Sequence, residues 1–558
     1  MSEKSTALIR PDGTAITRAD VVRAKYRASI ESPARAGWPY DASAMTGPEL
    51  GDWWPLNQSP DIELNFTTDL IRARQRDLIR NNGWATGSIV RGADGMVGAN
   101  FHVVPQPNWR WLQRQYGPTF DAQWAAEFRS EVIAEYRMWA DDPNFWCDAQ
   151  RSMNVNQIFY LAARTKIGEG ENILMPLWLS ENVGFGAARF NTALQMIDPD
   201  RLSNPFNAPD THNMRGGVEV NDQQAPVAYH IRRAHPNGYY DASLAMEWDR
   251  FERMTAWGRP LVIHDCERDR IAQHRGVGIL TPVLSRFRML AKYDQAALQA
   301  ALLRTMVGFF IKSPLDVEQV RQMMELGGDD KAVGLSAYET MRNSLSERDA
   351  LRMNGVHMPV LGPGESIETA DARGEADDFD AFEHTFLRSI AAATGESAEE
   401  VTKDYSKTNY SSARAAMLSV WRRMLTRRAD FAAGTATPVY SCILEEIIDR
   451  PGGLNSLPHG VGLYEFVESR AAWTRCTWIG PGRGWVDPVK EREGELFGLD
   501  AGFGTLNETC ANISGAYWQD VLDERAVEET YFKRLGLTRP AWAAGTPAQQ
   551  LKKAPQPQ

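Results

Sequence analysis

His264-Asp265-Cys266-Glu267 sets an imidazole, two carboxylates and a thiol side by side. Such groups can shuttle protons or hold a metal. No further His or Cys stands at ligand spacing from them, and they close the apolar run Leu261–His264, so a structural role is expected. Gly480-Pro481-Gly482-Arg483-Gly484 is rich in glycine. A phosphate-cradling loop, however, needs free backbone N–H donors and a helix-opening Lys-Ser/Thr; Pro481 removes a donor and no such pair follows, so the run reads as a turn. The chain has no GxxxxGK[ST], HExxH or GxSxG motif. The acidic pairs Asp377-Asp378 and Glu399-Glu400 read as solvated helix ends or as ring-lining charge rather than as a catalytic dyad. Cys147, Cys266, Cys442, Cys476 and Cys510 are scattered without a CxxC, which predicts reduced, buried thiols. No catalytic residue, cofactor site or metal site is assigned, and an enzyme is not expected.

Composition sets the outer limits. The 558 residues exceed one ordinary core and imply two to four structural units, by a rule of roughly 100–200 residues per domain. A 43% hydrophobic and 24% charged make-up is that of a globular chain. The net charge of −11 argues against gripping DNA over the whole surface, because phosphate binding needs clustered Lys and Arg. The N-terminal MSEKSTALIRPDGT has no apolar signal core, and Ala296–Ile311, broken by Gln299 and Arg304, is too short to span a bilayer. No membrane partner is expected, and the Asn512-Ile513-Ser514 sequon reads as a chance match.

The elements that would position these groups follow from periodicity. Residues 1–60, rich in Pro, Gly, Ser and Ala, read as a mobile arm. Leu70, Ile71, Arg74, Leu78 and Ile79 predict a helix over Thr68–Asn81, and Ile89, Val90, Ala93 and Val97 a second over Ala85–Val97. Phe120, Trp124, Phe128, Val132, Ile133, Tyr136 and Trp139 make the stripe of a third, and Asn154–Ile167 a fourth. Short β-like runs follow at Ile173–Trp178, Thr192–Ile197, Val227–Ile231 and Leu261–His264, with a turn at Pro236-Asn237-Gly238. Thr281, as N-cap, and Pro282 open a helix to about Lys312, roughly 45 Å long. Residues 313–375 differ in texture, with Gly327-Gly328-Asp329-Asp330 as a turn and Val356–Leu361 as a strand. A helix over Asp378–Ala393 carries Phe379, Phe382, Phe386 and Ile390. After the polar run Gly395–Ser411, a helix to about Ala432 has Met417, Val420, Trp421, Met424 and Leu425 on one face. Arg422, Arg423, Arg427 and Arg428 on the other face are expected to be solvated or to pair between subunits.

The string Asp404-Tyr405-Ser406-Lys407-Thr408-Asn409-Tyr410-Ser411-Ser412-Ala413-Arg414-Ala415, with Trp421-Arg422 after it, resembles a signature of lambda-like phage portal proteins. Arg72–Asn82 with Met96-Val97-Gly98, then Trp485–Glu491 (WVDPVKE), then Glu529 and Leu535-Gly536-Leu537 resemble further family motifs in the same order. The likeness spans roughly residues 60–540, and its weight lies in the ordered set. It departs at Met96-Val97-Gly98-Ala99, where the family often has a second Gly.

The resemblance implies an α+β portal fold assembled as a ring of about twelve copies at one capsid vertex. Residues 1–60 would be the N-terminal arm, 60–280 the first part of a mixed α/β wing, and 281–312 and 378–395 the two stem helices. Residues 313–377 would be a small α/β clip, 396–412 the channel loop, 413–450 the long wing helix, 451–540 the rest of wing and helical crown, and 541–558 a disordered tail. It implies double-stranded DNA passing without sequence readout, and docking of the large terminase subunit, a head-completion or adaptor protein, and the major capsid and scaffold proteins. Such a protein is assembled in the host bacterial cytoplasm and resides in the virion. Within the implied channel loop, Lys403 and Lys407 can meet phosphates as mobile point charges. Ser406, Thr408, Asn409 and Tyr410 can add hydrogen bonds to backbone oxygens. Composition alone leaves the same segment an ordinary solvated loop capping the next helix. A nuclease, which would need clustered acidic metal ligands, and a shorter adaptor ring are the competing readings.

Overall fold

The computed structural model describes residues 55–307, 340, 375–406, 408–483 and 488–537. The chain divides into two compact units, Met1–Glu63 and Leu64–Gln558. Of the first unit only residues 55–63 are described, so the expected arm, 1–60, lies outside the described residues as far as Trp54. So do nearly all of 313–377, the Trp485–Asp487 part of WVDPVKE, and the tail.

The second unit opens with α1 (Thr68–Asn81) and α2 (Gly83–Met96). Asn82 accepts from the Ala85 N–H at 3.1 Å and so caps α2. The spacing located α1 but not its buried face. Leu70 is 53% exposed, whereas Arg72 and Gln75 are buried. The reason is electrostatic: Arg72 donates to Glu171 at 2.6 Å and to Asp200 at 3.0 Å. Next come β1 (His102–Pro105), α3 (Trp109–Tyr116) and α4 (Ala122–Ala140). All seven apolar residues expected for the third helix are buried. α5 (Val155–Glu169) begins with a reciprocal capping box between Asn154 and Gln157. It stops at Gly170, whose φ of +91° is left-handed.

The strands confirm the change of texture and add to it. β2 (Glu171–Trp178) is central to an antiparallel sheet of order β3-β2-β8, with β3 at Thr192–Ile197 and β8 at Ile263–Cys266. A second sheet runs β4-β5-β6-β7, through Met214–Arg215, Val218–Val220, Pro226–Arg232 and Trp248–Glu252. Side chains alternate along β2. Ile173 and Met175 join Val218, Val220, Tyr229 and Ile231 between the sheets, while Leu174 faces the helices. β1 pairs with β9 (Cys476–Ile479), nearly four hundred residues away, a contact with no local signature.

Thr281 does not cap the next helix. Its hydroxyl donates to the Gly278 carbonyl at 2.7 Å and accepts from Gln75 at 2.8 Å. A 3₁₀ turn over Thr281–Val283 leads instead into α6 (Leu284–Val307). α6 packs on α7 (Glu375–Thr394), where Tyr293 and Phe382 have ring centroids 4.3 Å apart. After α8 (Ala398–Thr402), α9 (Tyr410–Phe431) continues through a π-helical turn, Ala432–Ala436, into α10 (Thr437–Asp449). The whole rod is about 60 Å long. α10 runs through the main core, with Val439, Tyr440, Ile443, Leu444 and Ile447 at 0% exposure. Short helices α11 (Leu463–Glu468) and α12 (Arg470–Trp473) precede β9; α13 (Pro488–Asp500), α14 (Leu506–Ser514) and α15 (Trp518–Leu535) follow it. The architecture is a mixed α/β fold rich in helix. No described helix is long and apolar enough to cross a membrane.

Candidate nucleic-acid interface

The segment expected to be one polar loop, 396–412, has three parts. Its entry is a buried ionic anchor. Gly395 (φ +73°) turns the chain out of α7, and a side chain there would meet Arg423. Glu396 then points inward. Its carboxylate accepts from Ser88 at 2.9 Å and from both Nε and Nη2 of Arg91, at 3.1 and 2.9 Å. Two parallel bonds from one guanidinium fix direction as well as distance. Arg427 closes the end of α7 by donating to the Thr394 carbonyl at 3.2 Å.

The second part is α8, a helix that the polar sequence hid. Ser397 caps it by accepting from the Glu400 N–H at 3.2 Å. Glu399 and Glu400 occupy its first turn, where the helix dipole favours them. Val401 is 1% exposed and belongs to the main core. Burial pushes the Glu400 carboxyl up, and the neighbouring Glu396 adds to the shift.

The third part is the tip, from Lys403 to Asn409. Lys403 is exposed and ends α8 in the left-handed region, with φ +58°. Ser406 is exposed, and its N–H closes a turn onto Asp404 at 2.9 Å. Lys407 lies outside the described residues. Thr408 is half-buried, its hydroxyl 3.5 Å from Glu399. Asn409 accepts from the Ser412 N–H at 2.8 Å and caps α9. That is the capping role composition allowed, so Asn409 is committed to its own helix. Tyr410 opens α9, and its side chain lies outside the described part. The structure therefore brings Lys403, Ser406, Thr408 and Asn409 into one short exposed tip, and helix α9 starts at Tyr410 within the expected loop.

Behind the tip, a cavity of about 240 Å³ separates α2, α8 and α9, with Arg91, Glu396, Glu400, Met417, Trp421 and Met424 among its walls. The arginine face of α9 also needs correction. Arg422 and Arg423 are exposed, but Arg428 is buried. It donates to the carbonyls of Gly95, Met96 and Pro481 at 2.8–3.1 Å. The Gly95 and Met96 carbonyls end α2, a natural place for a cation, and Pro481 follows β9. Burial lowers its pKa to about 10, so it stays charged at neutral pH. Of the expected apolar face, Met424 is buried, while Met417 and Leu425 are 37% and 38% exposed.

Three residues of the tetrad, His264, Asp265 and Cys266, lie on β8 and are engaged in packing contacts. His264 contacts Glu171 at 3.1 Å on one face of the sheet. On the other, Asp265 accepts from Lys166 at 2.8 Å and from Thr435 of the π turn at 2.8 Å. Lys166 also bonds Asp430 of α9. Burial raises the Cys266 thiol to about 12. Asp198, Asp200 and His235 lie close enough together to hold a metal, but Arg72 and Arg76 already bind both carboxylates.

Comparison with known proteins bears on what this framework serves. The family described as phage portal protein, lambda family, matches residues 46–428. The chain belongs to that family. It is 30% identical to the portal protein of Escherichia phage N15 over 514 residues, which cover 91% of this chain and 93% of that one. It is also 30% identical to portal protein B of Escherichia phage lambda over 517 residues, covering 91% and 92%. A chain in the virion of a native gene transfer agent particle aligns at 13% identity and TM-score 0.38, over 80% of this chain and 92% of that one.

In this lambda-family portal chain the motif residues have visible tasks. Of the alternating arginines in Arg72–Asn82, Arg72 and Arg76 fasten α1 to Glu169, Glu171, Asp198 and Asp200. Gly98 (φ +58°) stands where a Cβ would lie 2.9 Å from both the Asp94 carbonyl and Pro481. The anchor residues Ser88, Arg91 and Glu396 escaped the sequence reading. The two sides are some three hundred positions apart and leave no spacing signal.

Proposed function

We propose that the chain works as the portal, or head–tail connector, of a tailed phage. It forms a ring at one capsid vertex, and double-stranded DNA enters and leaves the head through that ring. The observation that carries the reading is the family match over residues 46–428, which contains the whole of 396–412. The finer features belong to the same proposal. The ring has about twelve copies, a number that closes by a repeated head-to-tail interface. α6 and α7 are the stem, α9 to α10 the long wing helix, and 313–377 the clip that docks the terminase motor and later the head-completion protein. The tip, with Lys403 and Ser406 exposed, faces the DNA. Its contacts are few, weak and blind to sequence, which suits sliding.

Electron microscopy of the purified full-length protein tests the ring. The expected image has about twelvefold symmetry and a pore of roughly 20 Å, enough for a duplex with its grooves. Monomers or dimers under every condition, assembled heads included, overturn it. Formaldehyde cross-linking of DNA-filled heads, mapped by mass spectrometry, tests the tip. Lys403 and Lys407 are expected in DNA adducts; their absence, with adducts elsewhere on the chain, removes the tip from the bore.

A further inference from the structure

We infer that the aromatic end of the second sheet, carrying Phe206, Tyr239, Tyr240 and Met246, is a docking surface for an apolar face of a second copy of this chain. The inference rests on the ring reading and deepens it, by naming one surface through which neighbouring copies meet.

The surface stands where β6 ends at Arg232 and β7 begins at Trp248. The connection between them, 233–247, carries Tyr239 and Tyr240, which are 90% and 94% exposed, and Met246 at 56%. The two tyrosine rings meet edge to face, with centroids 5.4 Å apart. A second connection, the turn Pro205–Asn207, adds Phe206 at 79% exposure, its ring 5.4 Å from that of Trp248.

These pieces are set in place within one protomer. Arg232 is buried, with its guanidinium 4.6 Å from the Trp248 ring. It donates to Ser203 at 2.7 Å, to the Ala245 carbonyl at 3.0 Å and to the Asn207 side chain. Trp248 donates to the same Ser203 hydroxyl at 3.1 Å. One side chain thus ties the turn to the far end of the β6–β7 connection. Within that connection, Gly238 donates to the His235 carbonyl at 2.9 Å and Ala245 to the Asp241 carbonyl at 3.0 Å, so the tyrosines sit between two hydrogen-bonded turns. A surface ordered in advance loses less entropy on binding. Phe206 and Asn207 are held at φ +57° and +53°, a region sparsely populated by residues other than glycine. Such strain persists only where the surroundings impose it. Its product here is a phenyl ring held in water, which is unfavourable for a lone protomer and favourable once a partner covers the ring.

Area and charge say what fits. At roughly 150–250 Å² for each aromatic side chain, the three rings and half of Met246 present on the order of 600 Å². A stable contact buries about 800 Å² on each partner, and a lone soluble protein rarely exposes apolar patches beyond a few hundred Å². The nearby charges are already paired: Arg233 with Glu247 and Asp249 at 2.8 and 2.9 Å, and Arg250 with Glu219 at 2.8 Å. A partner need bring no countercharge, so an apolar face suits it. A second copy is present in equal amount as soon as this chain folds, and a closed ring joins two different faces of the chain at every contact. This end of the sheet is one of those faces.

The balance of rings and monomers of the full-length protein, read by sedimentation velocity, tests this. Tyr239→Ser combined with Tyr240→Ser is expected to raise the concentration at which rings dissociate by about tenfold or more. Circular dichroism stays unchanged, since neither ring packs in a core. Phe206→Ser acts in the same direction. Phe185→Ser, at a fully exposed ring between β2 and β3, leaves the balance as it was. An equal loss in Phe185→Ser, or no loss in the tyrosine variant, overturns the inference. The photo-cross-linker p-benzoylphenylalanine in place of Tyr240, in rings mixed from heavy-isotope and ordinary chains, is expected to join peptides of two different copies. Adducts only within one chain, or only to another protein in assembled heads, overturn the inference as well. Rings that form in the unaltered protein and ignore these substitutions sink this inference alone; a protein that forms no ring sinks the ring reading with it.

Discussion

Replacing Glu171 with Gln isolates one buried charge. The side chain is 0% exposed and accepts from Arg72, from Arg275, from His264 and from the Gly276 N–H. Burial alone would raise its pKa, but Arg275, Arg72 and His264 outweigh that and hold it well below its ordinary 4.5. Gln keeps the volume and loses the charge. Arg72 still has Asp200 at 3.0 Å. Arg275 keeps the carbonyls of Pro199, Leu202 and Gly216 and at most a neutral amide oxygen at 171, so a buried guanidinium is left without a bonded carboxylate. Such a loss costs about 3–5 kcal/mol. At roughly 2–4 °C per kcal/mol for a unit of this kind, the midpoint of thermal unfolding falls by about 6–20 °C. Differential scanning fluorimetry on the full chain reads this, with Glu181→Gln at an exposed position as the control. The pH dependence has a definite sign. A carboxyl whose folded pKa is depressed stabilises fully above the unfolded value, and the benefit fades as pH falls through the folded one. The gap between the two proteins therefore narrows below about pH 4.5. A midpoint shift under about 2 °C at pH 7, or a gap that widens in acid, would refute the electrostatic account.

Gly170→Ala sets a Cβ against the backbone of Gly276 and Val277 at a left-handed position, so it is expected to cost more than about 2 kcal/mol and to sharply reduce the yield of soluble protein. Arg428→Met strips a partner from two carbonyls at the end of α2 and from that of Pro481, and lowers stability by about 2–3 kcal/mol in thermal unfolding, with Arg428→Lys intermediate. Asn409→Ala removes the cap of α9 for about 1 kcal/mol, visible as faster amide exchange at 411–413, whereas Asn409→Asp changes little. Native labelling with a thiol reagent at pH 8 should reach Cys510 first, because burial pushes the Cys147 and Cys442 thiols up to about 12.

Periodicity located elements well where one apolar face meets a core. Phe120 to Trp139 and Thr192–Ile197 are examples, the latter matching its strand at both ends. It failed where polar groups do the packing. α1 turns Arg72 and Gln75 inward because their partners are Glu171 on β2, Asp200 in a 3₁₀ turn after β3 (Pro199–Arg201) and Thr281 in the 3₁₀ turn before α6, and nothing in Thr68–Asn81 announces them. α8 was missed because five residues with two glutamates look like solvent until Val401 finds a core assembled from distant helices. For the candidate site, the tip could be picked out only through the family motif. Its anchor could not, since Glu396 and Arg91 meet through the tertiary fold alone.

The net charge of −11 says less about DNA passage than the local placement of charge does. Exposed charges more than about 8–10 Å from a phosphate are largely screened at physiological salt. On the proposed reading, a passing duplex responds to the tip and its immediate neighbours. Glu396 is already neutralised by Arg91. That leaves Glu399, Glu400 and Asp404 against Lys403 and Lys407, a nearly balanced set. Each subunit could then release only one or two condensed counterions, whereas a wall of unpaired arginines would release many and hold the duplex in place. The buried pair matters here too: Arg91 and Glu396 tie each other up, which keeps a strong cation and a strong anion out of the path and leaves that nearly balanced set as the charges a duplex would meet.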